Sequence, residues 1–182
     1  PLGDEIRKSD LESLPKGTQV ILGPQVRFCS RTNIELITPE GATEFDLKYM
    51  YLFCMSANKL GLALHRLPAS IHTLDLSQNK LSRFSKQELG FILGCIPKTI
   101  KTLSLRVNFL GGRGSYDASL AAISRLHQSL NTLDLSHNFF GPFIRTFREL
   151  LCSDHLARLA KVLPRGLRRL NLSGTYLALI TA

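Results

Sequence analysis

The sequence predicts an α/β solenoid, with a curved parallel sheet on the concave side and helices on the convex side. Three observations support this prediction. A strand-like pattern of alternating apolar residues, followed by an asparagine or threonine, occurs four times. Each of the first three copies is followed by apolar residues at helical spacing. The copies begin at residues 71, 100, 130 and 167, so they lie 29, 30 and 37 residues apart, and such regular periods are typical of solenoids.

The repeated motif reads Leu-x-Leu-x-x-Asn-x-Leu, the signature of the leucine-rich repeat. In the copy at residue 71, Leu74 and Leu76 alternate along a strand and Asn79 follows at the inner turn. The asparagine amide both donates and accepts hydrogen bonds, so it can pair with buried backbone groups of adjacent turns. Solenoids display long surfaces, so the motif favours recognition over catalysis. The matching residues of later copies are Leu103, Leu105 and Asn108; Leu133, Leu135 and Asn138; and Leu170, Leu172 and Thr175.

Helices are predicted after the strands. Ser85 and Glu88 have the spacing of a capping box, while Ser115 and the pair 153–154 are predicted to cap two later helices. The 37-residue spacing predicts an inserted second helix over 144–151. A proline three residues before a copy ends the preceding helix and extends the chain, and His127 takes that place in the third copy. The three prolines are Pro68, Pro97 and Pro164.

The pattern is weaker upstream of residue 71. Five residues fit the motif with other apolar side chains and predict a first repeat, beginning 21 residues before Ile71, with a short convex side. We therefore expect about five repeats over residues 50–182 and an N-terminal cap or degenerate repeat over residues 4–49. Residues 1–3 are interpreted as the remnant of an expression-tag protease site. The five residues are Met50, Phe53, Met55, Asn58 and Leu60.

The formal charge of +9 comes entirely from the repeats. Residues 1–70 carry 8 basic and 8 acidic groups, and residues 71–182 carry 15 and 6. A basic face can attract acidic proteins, nucleic acid or anionic lipid, or it can simply keep the protein in solution. No run approaches the roughly 18 apolar residues of a transmembrane helix, and the start lacks the pattern of a signal peptide. The four cysteines show no metal-site spacing, so no metal or cofactor is predicted.

Three copies of the motif extend into a longer phrase. Residues 67–81, 96–110 and 163–177 read LPASIHTLDLSQNKL, IPKTIKTLSLRVNFL and LPRGLRRLNLSGTYL. The Leu-Pro lead-in is similar to that of virulence proteins of Gram-negative bacteria, and the period resembles ribonuclease-inhibitor-type repeats. Together they resemble Legionella-type leucine-rich-repeat effectors over about residues 50–180. This resemblance implies secretion by a bacterium without a classical signal peptide and action as an interaction module in the host cytoplasm.

The predicted binding surface is the concave face, where strand residues alternate with the leucines. Neighbouring strands lie ~4.8 Å apart, so Cys54, Asp75, Ser104, Asp134 and Asn171 should form a ladder. Tyr51, Leu52, Ser77, Thr102, Val107, Thr132, Ser136 and Ser173 are expected on the same face. The predicted partner-binding residues are His72, Thr73, Asp75, Gln78, Lys101, Ser104, Arg106, Asn131, Asp134, His137, Arg168, Arg169 and Asn171.

The predicted function is non-enzymatic binding of a host protein by a monomer or in a 1:1 complex. One alternative is an inhibitor or regulator that covers the active site of another enzyme, such as another bacterial effector. The other is a basic adaptor for nucleic acid or anionic membrane. Nucleic acid is disfavoured because the chain has no Trp and no exposed aromatic ladder is expected. Ser104, Asp134 and His137 suggest a triad, but a flat sheet offers no water-excluding pocket, so no catalytic residue is predicted.

Overall fold

A small antiparallel sheet precedes the solenoid. The computed structural model describes residues 19–23, 26–29, 33–112, 115–140 and 154–176, with side chains from residue 36 onward. Strands β1 (Gln19–Gly23), β2 (Val26–Cys29) and β3 (Asn33–Leu36) pair in that order. Strand β3 lies against the first helix of the solenoid, and Leu36 packs against the hydrophobic core.

Five short parallel strands form the solenoid sheet. They are β4 (Glu44–Asp46), β5 (Thr73–Asp75), β6 (Thr102–Ser104), β7 (Thr132–Asp134) and β8 (Arg169–Asn171), hydrogen-bonded in chain order. Their central residues stack in register, from Phe45 through Leu74, Leu103 and Leu133 to Leu170. The first four of these side chains are at most 1% exposed. The predicted α/β solenoid is confirmed.

Helices cover the convex side and pack against their neighbours in chain order. They are α1 (Ala57–His65), α2 (Lys86–Gly94), α3 (Tyr116–Ile123) and α4 (His155–Val162). Single 3₁₀ turns, Leu52–Cys54 and Leu81–Arg83, precede α1 and α2. The predicted capping box of α2 is confirmed: the Ser85 hydroxyl accepts from the Glu88 N–H at 3.3 Å, and the Glu88 carboxylate accepts from the Ser85 N–H at 2.9 Å.

The other two predicted caps lack that geometry. Ser115 and Asp154 occupy the N-cap positions of α3 and α4, but neither side chain accepts a hydrogen bond there. Their ψ angles of 3° and 19° differ from the extended backbone that a capping side chain needs, which Ser85 adopts with ψ 165°. The Ser115 hydroxyl donates to the Gly112 carbonyl at 3.0 Å instead. Ser153 and the helix predicted over 144–151 lie outside the described residues.

The first repeat lies upstream of its predicted position. Its strand is β4, and the segment predicted as a strand from residue 50 contains a 3₁₀ turn and the start of α1. Phe45 is paired with Leu74, 29 positions further along the chain, so this repeat has a convex side of ordinary length. The prediction was wrong because Met50 stands where Asn79 stands in the next repeat, which concealed this copy of the motif.

The inner-turn asparagines form a ladder of buried hydrogen bonds. The side-chain oxygen of Asn108 accepts from the backbone N–H groups of Asn79 at 2.9 Å and Leu81 at 3.3 Å. Its amide nitrogen donates to the carbonyl oxygens of Leu76 at 2.9 Å and Leu105 at 3.0 Å. One side chain therefore satisfies backbone groups of two successive repeats, as the sequence predicted.

The same bonding extends to the neighbouring repeats. Asn79 accepts from the Met50 N–H at 2.9 Å, and Asn138 accepts from the Asn108 N–H at 3.0 Å. All three asparagines are 0% exposed. In the last described repeat, the Thr175 hydroxyl donates to the Leu172 carbonyl at 2.6 Å. Threonine thus supplies part of the asparagine's bonding, as expected.

His127 replaces the proline that precedes the other clear repeats. Its carbonyl accepts from the Leu130 N–H at 3.4 Å, as the Pro97 carbonyl accepts from the Ile100 N–H at 3.1 Å. Burial lowers the pKa of the His127 imidazole, and the nearby positive charges of Lys101 and Lys98 lower it further. The Nε2 atom of this ring is buried without a hydrogen-bond partner.

Replacing Asn108 with alanine should destabilise the protein by on the order of 3–5 kcal/mol, because several buried backbone groups lose their partner at once. The measurement is urea unfolding followed by circular dichroism. Asn131→Ala is the matched control: Asn131 is half-buried at the sheet margin and should cost less than about 1 kcal/mol. Equal losses in the two variants would contradict the structural role of the ladder.

His127→Pro should raise the free energy of unfolding by about 0.5 kcal/mol near neutral pH, because proline restricts the unfolded chain. It should also reduce the sensitivity to acid. The folded-state pKa of His127 is lowered, so the wild type loses stability as the pH falls below the unfolded value of about 6.5. Urea unfolding at about pH 7.5 and pH 5 tests this, and an identical pH dependence in both proteins would contradict it.

Candidate functional site

The concave face consists of columns of side chains that cross the sheet at equivalent strand positions. One column runs Glu44, Thr73, Thr102, Thr132, Arg169, and the next runs Asp46, Asp75, Ser104, Asp134, Asn171. We call the second column the acidic row. A third column, at the start of the strands, joins His72, Lys101, Asn131 and Arg168 through backbone hydrogen bonds.

The structure brings the predicted partner-binding residues together on β5–β8 and the residues that flank these strands. None of the thirteen is buried. Gln78 and His137 lie in the turns after the strands, where both have left-handed backbones with φ 58° and 54°. The exposed members are His72, Arg106, His137, Arg168, Arg169 and Asn171, and the half-buried members are Thr73, Asp75, Gln78, Lys101, Ser104, Asn131 and Asp134.

Several other residues expected on this face lie elsewhere. Leu52 and Cys54 are buried, at 0% and 3% exposure, because they belong to a 3₁₀ turn and not to a strand. Asp46 occupies the ladder position predicted for Cys54. Ser77 and Ser136 are also buried, at 2% and 0% exposure. The strand alternation predicted for them ends where the chain enters the inner turn.

Glu44 and Asp46 are exposed members of the concave face that the sequence analysis missed. The available signal was Phe45 and Leu47, which alternate 29 residues before Leu74 and Leu76. With Asp75 they make the first two strands acidic. Arg168 and Arg169 make the last strand basic, so the face carries opposite charges at its two ends.

The carboxylates of the acidic row also stabilise the strand-to-turn junctions. The Oδ1 atoms of Asp75 and Asp134 accept from the backbone N–H groups of Ser77 and Ser136, each at 2.8 Å. Asp46 accepts in the same way from the Lys48 N–H at 2.8 Å. One oxygen of each carboxylate thus stabilises a turn, while the negative charge of the group remains on the concave face.

An aromatic ladder lies at the edge where the strands end, contrary to the sequence-based expectation. Phe109 stacks on Phe139 with ring centroids 5.8 Å apart, and Phe139 stacks on Tyr176 at 5.7 Å. In the first repeat, the ring centroids of Tyr49 and Tyr51 are 5.2 Å apart. These residues are far apart in sequence, and only the stacking of equivalent turns brings them together. We call the set Tyr49, Tyr51, Phe53, Phe109, Phe139 and Tyr176 the aromatic edge.

The convex side carries a groove of about 830 Å³ between α2 and α3. Phe91 lines it and lies close to Gly61 of α1, where a Cβ atom would meet the phenyl ring at 2.5 Å. Burial raises the pKa of the Cys95 thiol in the same groove.

The three residues of the suggested triad lie on β6, on β7 and in the turn after β7. Ser104 and Asp134 are paired on adjacent strands, and the Oδ1 atom of Asp134 accepts a hydrogen bond from the Ser136 N–H. His137 is exposed in the turn after β7 and its ring lies close to Gly174. A Cβ atom added to this glycine would be 2.7 Å from the Nδ1 atom of His137. Within the described residues, no group of three or more His, Cys, Asp or Glu side chains could hold a metal ion. No helix there is long and apolar enough to cross a membrane.

Repeats of this kind, with a ladder of buried asparagines, are those of the leucine-rich-repeat fold, and residues 129–150 match the family described as Leucine Rich Repeat. The fold resembles the leucine-rich-repeat-containing protein LegL7 from Legionella pneumophila, with a TM-score of 0.62 and 27% sequence identity. The match covers 75% of this chain and 40% of LegL7. No curated protein matches the sequence. The resemblance to Legionella-type proteins is confirmed, and the fold is that of a protein-interaction module.

Asp75→Asn should leave the free energy of unfolding within about 0.5 kcal/mol of the wild type, because the amide oxygen can still accept from the Ser77 N–H. Asp75→Ala should cost about 1 kcal/mol, because the turn loses this hydrogen bond. Urea unfolding of both variants distinguishes the charge from the turn contact. If Asp75→Asn is as unstable as Asp75→Ala, the amide oxygen does not replace the carboxylate in this turn.

Proposed function

We propose that this chain is the protein-binding part of a bacterial virulence effector, which acts in the host cytoplasm and binds a host protein through the concave face. The module has no catalytic role of its own and forms a 1:1 complex. The observation that carries the proposal is the pair of charged ends on one continuous face. Glu44, Asp46 and Asp75 are at one end, and Arg168 and Arg169 are at the other.

This charge pattern favours a protein partner of complementary pattern. Charges of both signs on one face fix the orientation of a partner and increase its association rate more than they add affinity. Between the charged ends, strands β6 and β7 present the small half-buried side chains of Thr102, Thr132 and Ser104, together with the Asp134 carboxylate. The origin of LegL7, a Legionella protein, supports the bacterial setting.

The test is affinity capture from host-cell lysate and from a panel of bacterial effectors, followed by mass spectrometry. The variant is Asp75→Asn combined with Asp134→Asn, which removes two charges and retains both turn acceptors. We expect the specific partner to be depleted at least tenfold, since two contacts of about 1 kcal/mol each would weaken binding by roughly that factor. The control is Lys86→Gln with Arg125→Gln, two cationic residues of the convex groove, which should leave capture unchanged.

The captured partner also distinguishes the two roles of a binding module. A host protein supports the effector role, whereas a bacterial enzyme whose activity falls on binding supports the inhibitor alternative. A partner that is retained by the acidic-row variant and lost by the convex-groove variant would contradict concave binding. Capture of no protein at physiological salt would contradict the protein-binding role.

A further inference from the structure

The aromatic edge lies in a segment of the solenoid that carries only positive charge. The residues after the five strands, 47–54, 76–84, 105–112, 135–140 and 172–176, contain no Asp or Glu. They contain Lys48, Lys80, Arg83 and Arg106, of which Lys48, Arg83 and Arg106 are exposed. Consecutive turns stack ~4.8 Å apart, so these residues share one edge of the solenoid: the cations lie in the first three repeats and the stacked rings in the last three.

The rings of this edge protrude into solvent. Tyr49, Phe109 and Tyr176 are 58%, 43% and 68% exposed. Two cations lie beside another ring of the edge, Phe53. The Arg83 guanidinium is 4.6 Å and the Lys80 ammonium 5.6 Å from its centroid. Protruding tyrosine and phenylalanine among lysine and arginine are the composition of surfaces that bind the interface of a bilayer.

The ring geometry disfavours nucleic acid as the ligand. Phe109, Phe139 and Tyr176 stack on each other with interplanar angles of 21° and 10°, so their facing surfaces are already covered. A nucleobase needs an open ring face on which to stack. Phe109 and Tyr176 are nevertheless exposed to solvent, and the edges of their rings carry the positive end of the aromatic quadrupole.

The charge pattern favours lipid over protein. The concave face presents both signs, as a patterned protein surface does, whereas the charged residues of this edge, which lie in the first three repeats, are all basic. A bilayer with anionic headgroups is uniformly negative and takes up protruding rings without needing a complementary pocket. The aromatic edge therefore matches an extended anionic surface in both charge and shape.

We propose that the aromatic edge docks the solenoid onto an anionic lipid bilayer. Phe109 and Tyr176 enter the headgroup region, while Lys48, Arg83 and Arg106 bind the anionic groups of the lipids. This surface adjoins the concave face and shares Arg106 with it, but its rings, Lys48 and Arg83 are not among the predicted protein-binding residues, so the docking does not depend on the protein-binding role proposed above.

Co-sedimentation with vesicles tests the proposal. Vesicles of phosphatidylcholine alone are compared with vesicles in which about a third of the lipid is phosphatidylserine. The wild type should bind only the anionic vesicles. Lys48→Gln with Arg83→Gln should weaken binding roughly 25-fold, since one cation near the surface contributes about fivefold. Phe109→Asn with Tyr176→Asn should weaken it about tenfold, and asparagine tolerates the left-handed backbone at both positions.

The matched control is Arg168→Gln with Arg169→Gln, which removes the same charge from the concave face. It should weaken vesicle binding less than threefold, and circular dichroism should show that every variant is folded. Absence of binding to the anionic vesicles at physiological salt would overturn the proposal. So would equal losses in the control and the edge variants, because they would indicate a diffuse attraction by the net charge. Tighter binding to a single-stranded oligonucleotide, lost in the ring variant, would replace the lipid with nucleic acid.

Discussion

The buried asparagine amides at the inner turns determine how this protein can be built. Each repeat bends sharply after a three-residue strand, which leaves backbone N–H and C=O groups facing the core. Such groups are costly when they are unpaired, and the side chain of Asn108 alone pairs groups of its own repeat and of the repeat before it. The side chain is local in sequence, but its bonds join neighbouring turns, so the turns must stack in register.

This register produces the surfaces of the molecule. Because equivalent residues of successive turns lie side by side, a residue type that recurs at one motif position becomes a continuous column. Aspartate at the end of β4, β5 and β7 becomes the acidic row. Phenylalanine or tyrosine one residue after the inner-turn asparagine or threonine becomes the stack of Phe109, Phe139 and Tyr176. Both columns follow from the stacking of turns that the buried asparagines already fix, so neither needs further contacts to form.

The sequence predicted the features that recur in the motif. Leucines at period two and asparagines at Asn79, Asn108 and Asn138 predicted strands β5 to β7 and the inner-turn bonding. Strand β4 escaped because Met50 takes the asparagine position and cannot supply the same hydrogen bonds. The aromatic edge was not predicted because Lys80 interrupts the column and each ring alone resembles an ordinary apolar residue of its repeat. Stacking depends on three-dimensional register, which no single repeat encodes.

The acidic row and the aromatic edge lie on either side of the same turns, and this proximity has an electrostatic consequence. Asp75 and Lys80 lie on either side of one turn, so the two surfaces carry opposite charges within a single repeat. A partner of uniform sign would therefore be attracted by one surface and repelled by the other. It must approach either the concave face or the edge, and a ligand that covers both must itself change sign across the turn. The inner turn thus separates the two proposed recognition surfaces, which have different charge requirements, on one small scaffold.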